Sequence, residues 1–289
     1  VPALAPALYR RAADGRADVL VARPVLGPRH SRQQQAETGF TPHEVSWTPE
    51  RVMRFWAYLS NSPQADRAYF SSHSGDAIIA FAQRYVPLGT GRVLDYGCGP
   101  GFLLERLLRR GIRAEGIEFS SESVDQVQKR CGDHPLFGGI LLADGVPTPI
   151  ESESVDVVFL VEVLEHLPGE QLGQALEDIR RILRVGGFLV ATMPHNEDLE
   201  ALKTICPDCG CIFHPWQHVN SFRATNLTEF MQTFGFEAVV CTATTFSARW
   251  VHKAMRLLRR VLAGRNAGRG EPHLVYVGKK RPNTPGEAP

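Results

Sequence analysis

The chain has 289 residues, 43% of them hydrophobic and 22% charged, with a formal net charge of +1. That length suits one large α/β domain with additions, or two small domains. The near-neutral balance gives no basic footprint and so disfavours wholesale binding to nucleic acid. No apolar run approaches the roughly 20 residues that a membrane-crossing helix requires, and no signal-peptide pattern opens the chain; the expected location is cytoplasmic.

Residues 1–45 are rich in Ala, Pro, Arg and Gln without sustained periodicity and are expected to form a poorly ordered leader. A chain opening on Val1 points to an unusual initiation site or a truncation. From Trp47 the pattern sharpens: Thr48 can cap a helix with Pro49 at its first position, and Val52, Phe55, Trp56 and Leu59 fall on one face. A second helix is expected over about residues 75–86, carrying Ile78, Ile79, Ala82 and Tyr85. Strand and helix then alternate: "RVLDYG", "AEGIEF", "GGILLA", "VDVVFLV" and "FLVATMP" read as strands, with helices in "FLLERLLRRG", "SESVDQVQKRC" and "GEQLGQALEDIRRILRVGG". Such near-continuous apolar strands are buried on both faces, and repeated βαβ units imply a doubly wound, mostly parallel sheet. Beyond Pro194 the rhythm breaks for a Cys/His-rich insert, residues 195–222. It resumes with a helix near residues 227–234, the strand "FEAVVCTATT", a basic amphipathic helix at 250–262 and a last strand "HLVYVGKK". The main domain is expected over residues 46–283, followed by a frayed tail at 284–289. The basic helix, with its flank from Arg249, reads as a packed helix with a solvated face, or as a peripheral contact with an anionic membrane surface.

The stretch "VLDYGCGPG" carries the first functional signal. Ligands of open parallel sheets bind beyond the carboxyl ends of the strands, and the first strand-to-helix turn does much of the holding. Glycines there permit tight turns and close approach to the main chain. The turn holds Gly97, Gly99 and Gly101, with Asp95 just before it. A dinucleotide fingerprint would put its third glycine at Phe102, one residue later than Gly101, so a pyrophosphate-binding turn is disfavoured. Glu118 ends the next strand, where a carboxylate can accept hydrogen bonds from both ribose hydroxyls, and Asp144 ends the third, placed for the exocyclic amine of adenine. Asp95 and the turn would face a small zwitterion bearing an ammonium and a carboxylate.

Taken in order, "VLDYGCGPG", "GIEFS", "LLADG" and "VDVVFLVEVLEHL" resemble the successive motifs of class I S-adenosylmethionine-dependent methyltransferases, over roughly residues 70–280. The resemblance implies a Rossmann-like sheet of seven strands with the last antiparallel, N-terminal helices closing over the cofactor, and S-adenosylmethionine as that cofactor. It extends the cofactor-binding set to Phe119, Gly145 and Val161.

Methyl transfer from a sulfonium is an in-line displacement, so the protein mainly positions the nucleophile and excludes water. A hydroxyl nucleophile also needs a base or a metal. The candidates are Glu162, Glu165 and His166 in "EVLEHL", with Glu165 and His166 as the catalytic pair. This ExxEH pattern resembles that of the quinone O-methyltransferases and the small-RNA 2'-O-methyltransferases. There such residues, with a later His, help to hold a divalent metal such as Mg2+; the matching later residue here is His218. Without metal, Glu165 and His166 would simply line the pocket.

The insert competes for the same histidine. Cys206, Cys209, His214 and His218 have the C-x2-C-x4-H-x3-H spacing of a small structural zinc site, and Cys211 can replace a His; a loop with free thiols is the plain alternative. Cys98, Cys131 and Cys241 read as core thiols. Tyr69, Phe70 and Trp216 are candidates for lining the pocket. The expected activity is O-methylation of a small-molecule, quinone-like or glycoconjugate acceptor. The alternatives are an RNA 2'-O-methyltransferase and a zinc-stapled interaction module on a degenerate methyltransferase fold.

Overall fold

The computed structural model describes residues 40–62, 69–246 and 272–282. Its elements begin with a short strand β1 (His43–Glu44) and two helices, α1 (Pro49–Asn61) and α2 (Phe70–Ala82). The alternating part follows: β2 (Val93–Tyr96), α3 (Phe102–Arg109), β3 (Ala114–Glu118), α4 (Ser121–Cys131), β4 (Phe137–Leu142) and β5 (Val155–Val161). After a single 3-10 turn, Leu164–His166, come α5 (Glu170–Ile182), β6 (Leu183–Pro194), β7 (Thr204–Ile205), β8 (Cys211–Phe213), α6 (Ala224–Thr233), β9 (Phe236–Thr244) and β10 (His273–Lys280).

Seven strands form one sheet in the order β4-β3-β2-β5-β6-β10-β9, with β10 antiparallel to both neighbours and the other pairings parallel. The expected doubly wound sheet with an antiparallel last strand is what the chain adopts. Strand β5 shows why both faces are covered. Val157 and Phe159 join a buried cluster with Ile78 and Ile79 of α2 and Leu103, Leu104 and Leu107 of α3. Val158 and Leu160 join the opposite one with Leu176 and Ile179 of α5 and Leu227 and Met231 of α6. Alternate residues point to opposite faces, so a strand apolar at every position needs helices on both.

Helix α1 starts as expected, with Thr48 Oγ1 accepting from Arg51 N–H and Pro49 in the first turn. Several boundaries differ: α2 also ends at Ala82 and not at residue 86, and α6 begins at Ala224 and not near residue 227. Helix α2 begins at Phe70 rather than near residue 75. Helix α5 stops at Ile182, and "LRVGG" belongs to β6: the register shifts from Val155↔Leu183 to Val157↔Phe188, and the extra residues turn out at Gly186, whose φ is +79°. Leu183, at φ −67° and ψ 134°, has already left helical geometry, so the glycine serves the strand bulge and not the helix end.

The insert begins and ends beside itself, with a parallel bridge between His195 and Phe222. Within it β7 and β8 form a hairpin, and β1 adds to β8 in parallel register, His43 opposite Cys211. Residues 1–39 of the expected leader, the basic helix at 250–262 with its membrane contact, and the tail at 284–289 lie outside the described residues. No described helix is long and apolar enough to cross a membrane.

Candidate active site

The carboxyl ends of β2, β3, β4 and β5 bring the sequence-predicted cofactor residues to one edge of the sheet. All three glycines of the turn have positive φ: +70° at Gly97, +52° at Gly99 and +83° at Gly101. A Cβ on Gly99 would lie 2.8 Å from Tyr69 Cε1, and one on Gly97 would lie 3.1 Å from Val163 Cγ2. Gly99→Ala therefore combines left-handed strain with a clash against the Tyr69 ring, and is expected to lower unfolding free energy by about 1–2 kcal/mol or more in urea titrations.

Glu118 is tied to this turn. Its Oε2 accepts from Gly99 N–H at 2.7 Å, and its Oε1 accepts from Phe119 N–H at 2.8 Å and Ser120 N–H at 3.3 Å. Burial raises its pKa, and the three N–H groups act the other way. A carboxylate has about four acceptor positions, so about one is left for a ribose hydroxyl. Asp95 has no such support: it is 2% exposed, its Oδ2 is buried without a hydrogen-bond partner, and burial followed by the Glu118 charge pushes its pKa up to about 8. Phe119 is half-buried, 5.8 Å from Tyr96, and Val161 is half-buried at the end of β5. Asp144 and Gly145 are exposed just past β4.

Helices α1 and α2 cover the turn. Tyr69 shares a hydrogen bond of 2.7 Å with Ser60 Oγ, which reaches Ser123 of α4 at 3.0 Å. The Tyr69 ring sits 6.1 Å from Trp56, and Trp56 packs edge-on against His166 at 4.6 Å. Two aromatic rings thus connect the glycine turn to the exit of β5. Phe70 stacks on His273 at 4.0 Å, while Trp216 is exposed in the insert.

At that exit the 3-10 turn is held by the insert. Asn220 Nδ2 donates to the Leu164 and Leu167 carbonyls, Val219 N–H to Glu165 O, and Gln217 Nε2 to His166 O. Gln217 also accepts from Trp56 Nε1 at 2.9 Å, so α1, the insert and the turn are fastened together. Glu165 is 1% exposed and neither of its carboxylate oxygens accepts a hydrogen bond; burial, then the Glu162 charge, raises its pKa well above the usual range. His166 is buried with Nδ1 unpartnered; burial and then the neighbouring His218 push its pKa well down, which keeps the ring neutral.

The structure divides the expected metal sets differently from the sequence. Ligand atoms of Glu165, His166 and His218 lie within 4.8 Å of one another, so three of the four ExxEH candidates converge. Glu162 does not join them: it accepts from Thr192 Oγ1 at 2.8 Å and lies 3.3 Å from His273, drawn toward β6 and β10. His214 and His218 converge with Glu197, and neither Cys206 nor Cys209 falls in a group of this kind among the described residues. The expected tetrad of Cys206, Cys209, His214 and His218 is thus not assembled. The two cysteines flank the turn of the β7–β8 hairpin, where Asp208 and Cys209 N–H donate to the Cys206 thiol, while the histidines turn inward to Glu197. Sequence reasoning missed Glu197, Gln217, Thr192 and His273. Glu197 stands just past the carboxyl end of β6, where ligands of such sheets bind, and that position was the available signal. A cavity of about 340 Å³ lined by Gly91, Arg92 and Glu115 lies at the amino ends of the strands, the opposite edge from this site.

A doubly wound sheet in this strand order, with a glycine turn after its first long strand and acids ending the next two, defines a nucleoside-cofactor fold of the methyltransferase type. The methyltransferase-domain family matches residues 94–191. A Mycolicibacterium smegmatis protein named "Probable S-adenosylmethionine-dependent methyltransferase" is 30% identical over 145 residues, 50% of this chain and 51% of that one. A ubiquinone biosynthesis O-methyltransferase from Ralstonia nicotianae is 36% identical over 165 residues, 54% of this chain and 66% of its own. Among solved structures, a Burkholderia thailandensis 1,6-didemethyltoxoflavin-N1-methyltransferase with bound S-adenosylhomocysteine superposes with a TM-score of 0.55 at 17% identity, over 84% of this chain and 95% of that one. The chain belongs to the class I S-adenosylmethionine-dependent methyltransferase superfamily. It spans about half the length of the curated relatives it matches.

Proposed function

We propose that the protein transfers a methyl group from S-adenosylmethionine to a hydroxyl oxygen of a small aromatic, quinone-like acceptor, with Glu165, His166 and His218 holding a divalent cation beside that oxygen. The observation that carries this reading is the set of orphaned polar atoms: Asp95 Oδ2 in the cofactor turn, and both Glu165 oxygens with His166 Nδ1 at the adjacent strand exit. Buried polar atoms are ordinarily satisfied, and leaving them without partners is costly. An ammonium suits Asp95, and a cation that displaces the Glu165 proton suits that carboxylate beside a neutral imidazole.

S-adenosylmethionine, when bound, supplies a methyl carbon already activated by its sulfonium, and the sulfur leaves with the bonding pair. The glycine turn and Asp95 hold the amino-acid end, Glu118 accepts from the ribose, and Asp144 and Gly145 border the adenine side. Trp56 and Tyr69 exclude water along the path between cofactor and His166. A sulfonium needs no further activation, so a buried carboxylate–imidazole cluster is best explained by the acceptor's proton. Two imidazoles and one carboxylate suit a borderline transition metal better than Mg2+, which prefers an all-oxygen shell. Such a cation would supply Lewis acidity to the hydroxyl and lower its pKa so that the proton leaves to solvent, while Glu165, His166 and His218 hold the cation in place. The likeness to a ubiquinone biosynthesis O-methyltransferase supports an aromatic hydroxyl as acceptor.

The test is calorimetry with S-adenosylmethionine, followed by incubation with methyl-labelled cofactor and three probes: catechol-type phenols, simple sugars, and a short RNA with a free terminal 2'-hydroxyl. Label on the phenols is expected. Label on RNA alone would move the assignment to a 2'-O-methyltransferase, and no cofactor binding by the wild type would end it. Because the histidines are committed to Glu197 and the turn, a zinc ion at the hairpin would take its remaining ligands elsewhere. Cys206→Ser with Cys209→Ser is expected to leave the affinity of the Glu165 site for Co2+ within about twofold in competition titrations.

A further inference from the structure

Glu197 lies three residues past β6 with its carboxylate between two imidazoles. Oε2 is 2.5 Å from His218 Nδ1, and Oε1 is 3.6 Å from His214 Nε2. All three side chains are nearly enclosed, at 8% exposure for Glu197, 10% for His218 and 2% for His214. The two rings stack at 4.6 Å with an interplanar angle of 18°.

By donor set alone this group is a second cation site, since its ligand atoms lie within 4.8 Å of one another. The hydrogen bonds argue otherwise. His214 Nδ1 accepts backbone N–H groups from Trp216 at 3.3 Å and His218 at 3.2 Å. In a neutral ring whose Nδ1 is an acceptor, the proton sits on Nε2, and a protonated nitrogen has no lone pair for a metal. His214 therefore turns an N–H toward Glu197, at 3.6 Å a contact of charge and not a hydrogen bond. His218 has the complementary arrangement: its Nδ1 is the nitrogen at the carboxylate, so an Nδ1–H donates there and the lone pair is left on Nε2. The His218 ring lies 4.9 Å from that of His166, beside Glu165.

We propose that Glu197 is a positioning residue that locks His218 as the Nδ1–H tautomer and so presents Nε2 to Glu165 and His166, with His214 as a proton-bearing brace that does not bind metal. Imidazole ligands characteristically donate their other N–H to a carboxylate, which fixes ring orientation and raises basicity. The inference rests on the cation reading proposed above, but its first readout does not require a cation.

In metal-free protein labelled with 15N-histidine, long-range nitrogen–proton correlations are expected to show His218 protonated on Nδ1, the resonance being assigned by its loss in His218→Gln. Glu197→Ala should lose that pattern, while Glu197→Gln, which keeps an acceptor oxygen, should retain it and serves if the alanine variant does not fold. In Co2+ titrations Glu197→Ala is expected to bind roughly ten- to a hundredfold more weakly than wild type, and His214→Ala to stay within about threefold of it. Three results would overturn the proposal: His218 protonated on Nε2 in the wild type, wild-type cobalt affinity in Glu197→Ala, or loss of cobalt binding in His214→Ala. A wild type with the expected tautomer but no cobalt binding removes the cation reading and upholds the hold of Glu197 on His218.

Discussion

Asp95→Asn is expected to weaken S-adenosylmethionine binding by about 1.5–3 kcal/mol, roughly ten- to a hundredfold, and to abolish a proton release that accompanies binding near neutral pH. Burial and the Glu118 charge hold the Asp95 pKa at about 8 in the ligand-free site, so at pH 7 the carboxyl is mostly protonated. An ammonium placed against it favours the ionised form, and binding should expel about one proton. In calorimetry this appears as a heat that depends on the ionisation enthalpy of the buffer. Wild-type affinity should rise with pH toward 8, by up to roughly tenfold per unit. Stability of the ligand-free protein runs the other way. A folded pKa raised from 3.8 to about 8 means that the native state keeps a proton which the unfolded chain has lost, so stability is fully present below about pH 4 and falls as pH rises through 8. Glu118 is the other carboxyl at this turn whose pKa is raised by burial, so Glu118→Gln is the control that separates the two. Buffer-independent binding heats in the wild type would contradict the assignment of Asp95 to the cofactor's ammonium.

The geometry of the proposed cofactor half of the site was legible because its signals are local. A positive-φ turn favours glycine, and Gly97, Gly99 and Gly101 supply it within six residues of Asp95. Apolar strands mark their own ends, so Glu118 and Asp144 could be placed at adjacent strand exits before any pairing was known. The proposed acceptor half is assembled from distant segments. Gln217 bonds Trp56, which is 161 positions away, and Glu162 is drawn aside by Thr192 and His273 on strands β6 and β10. Spacing on one segment carries no information about such partners.

The insert shows the same limit in sharper form. The run from Cys206 to His218 has zinc-site spacing, yet spacing fixes which side chains can meet and not which do. The four ligands part because the β7–β8 hairpin pairs with β1 while Gln217, Val219 and Asn220 bind the turn after β5. The carboxylate that captures the histidines, Glu197, stands on the far side of the insert in sequence and had no periodic or spacing signal of its own.

Glu165→Gln is expected to lower the affinity for Co2+ more than about a hundredfold, beyond what loss of an outer-shell partner such as Glu197 produces, and to stop methyl transfer to whichever phenolic probe the wild type accepts. The substitution keeps size and shape and removes only the ability to ionise. In the metal-free protein Glu165 sits at 1% exposure with two oxygens that accept nothing, facing the Glu162 charge. Burial raises its pKa well above the usual range, so the metal-free carboxyl is held neutral and an amide of the same shape costs the fold little. The amide should therefore leave the metal-free protein about as stable as the wild type, visible as an unchanged melting temperature, while function is lost. A residue that served only to pack the turn would give the opposite pairing, with lower melting temperature and retained cobalt affinity. Cofactor affinity should be unaffected, because Asp95 and Glu118 lie on β2 and β3, apart from the turn that carries Glu165. A Gln variant with wild-type metal affinity and wild-type turnover would show that the orphaned carboxylate has no part in the chemistry. A variant that loses turnover but keeps cobalt would instead assign Glu165 to the acceptor's proton, with the cation held by the two imidazoles.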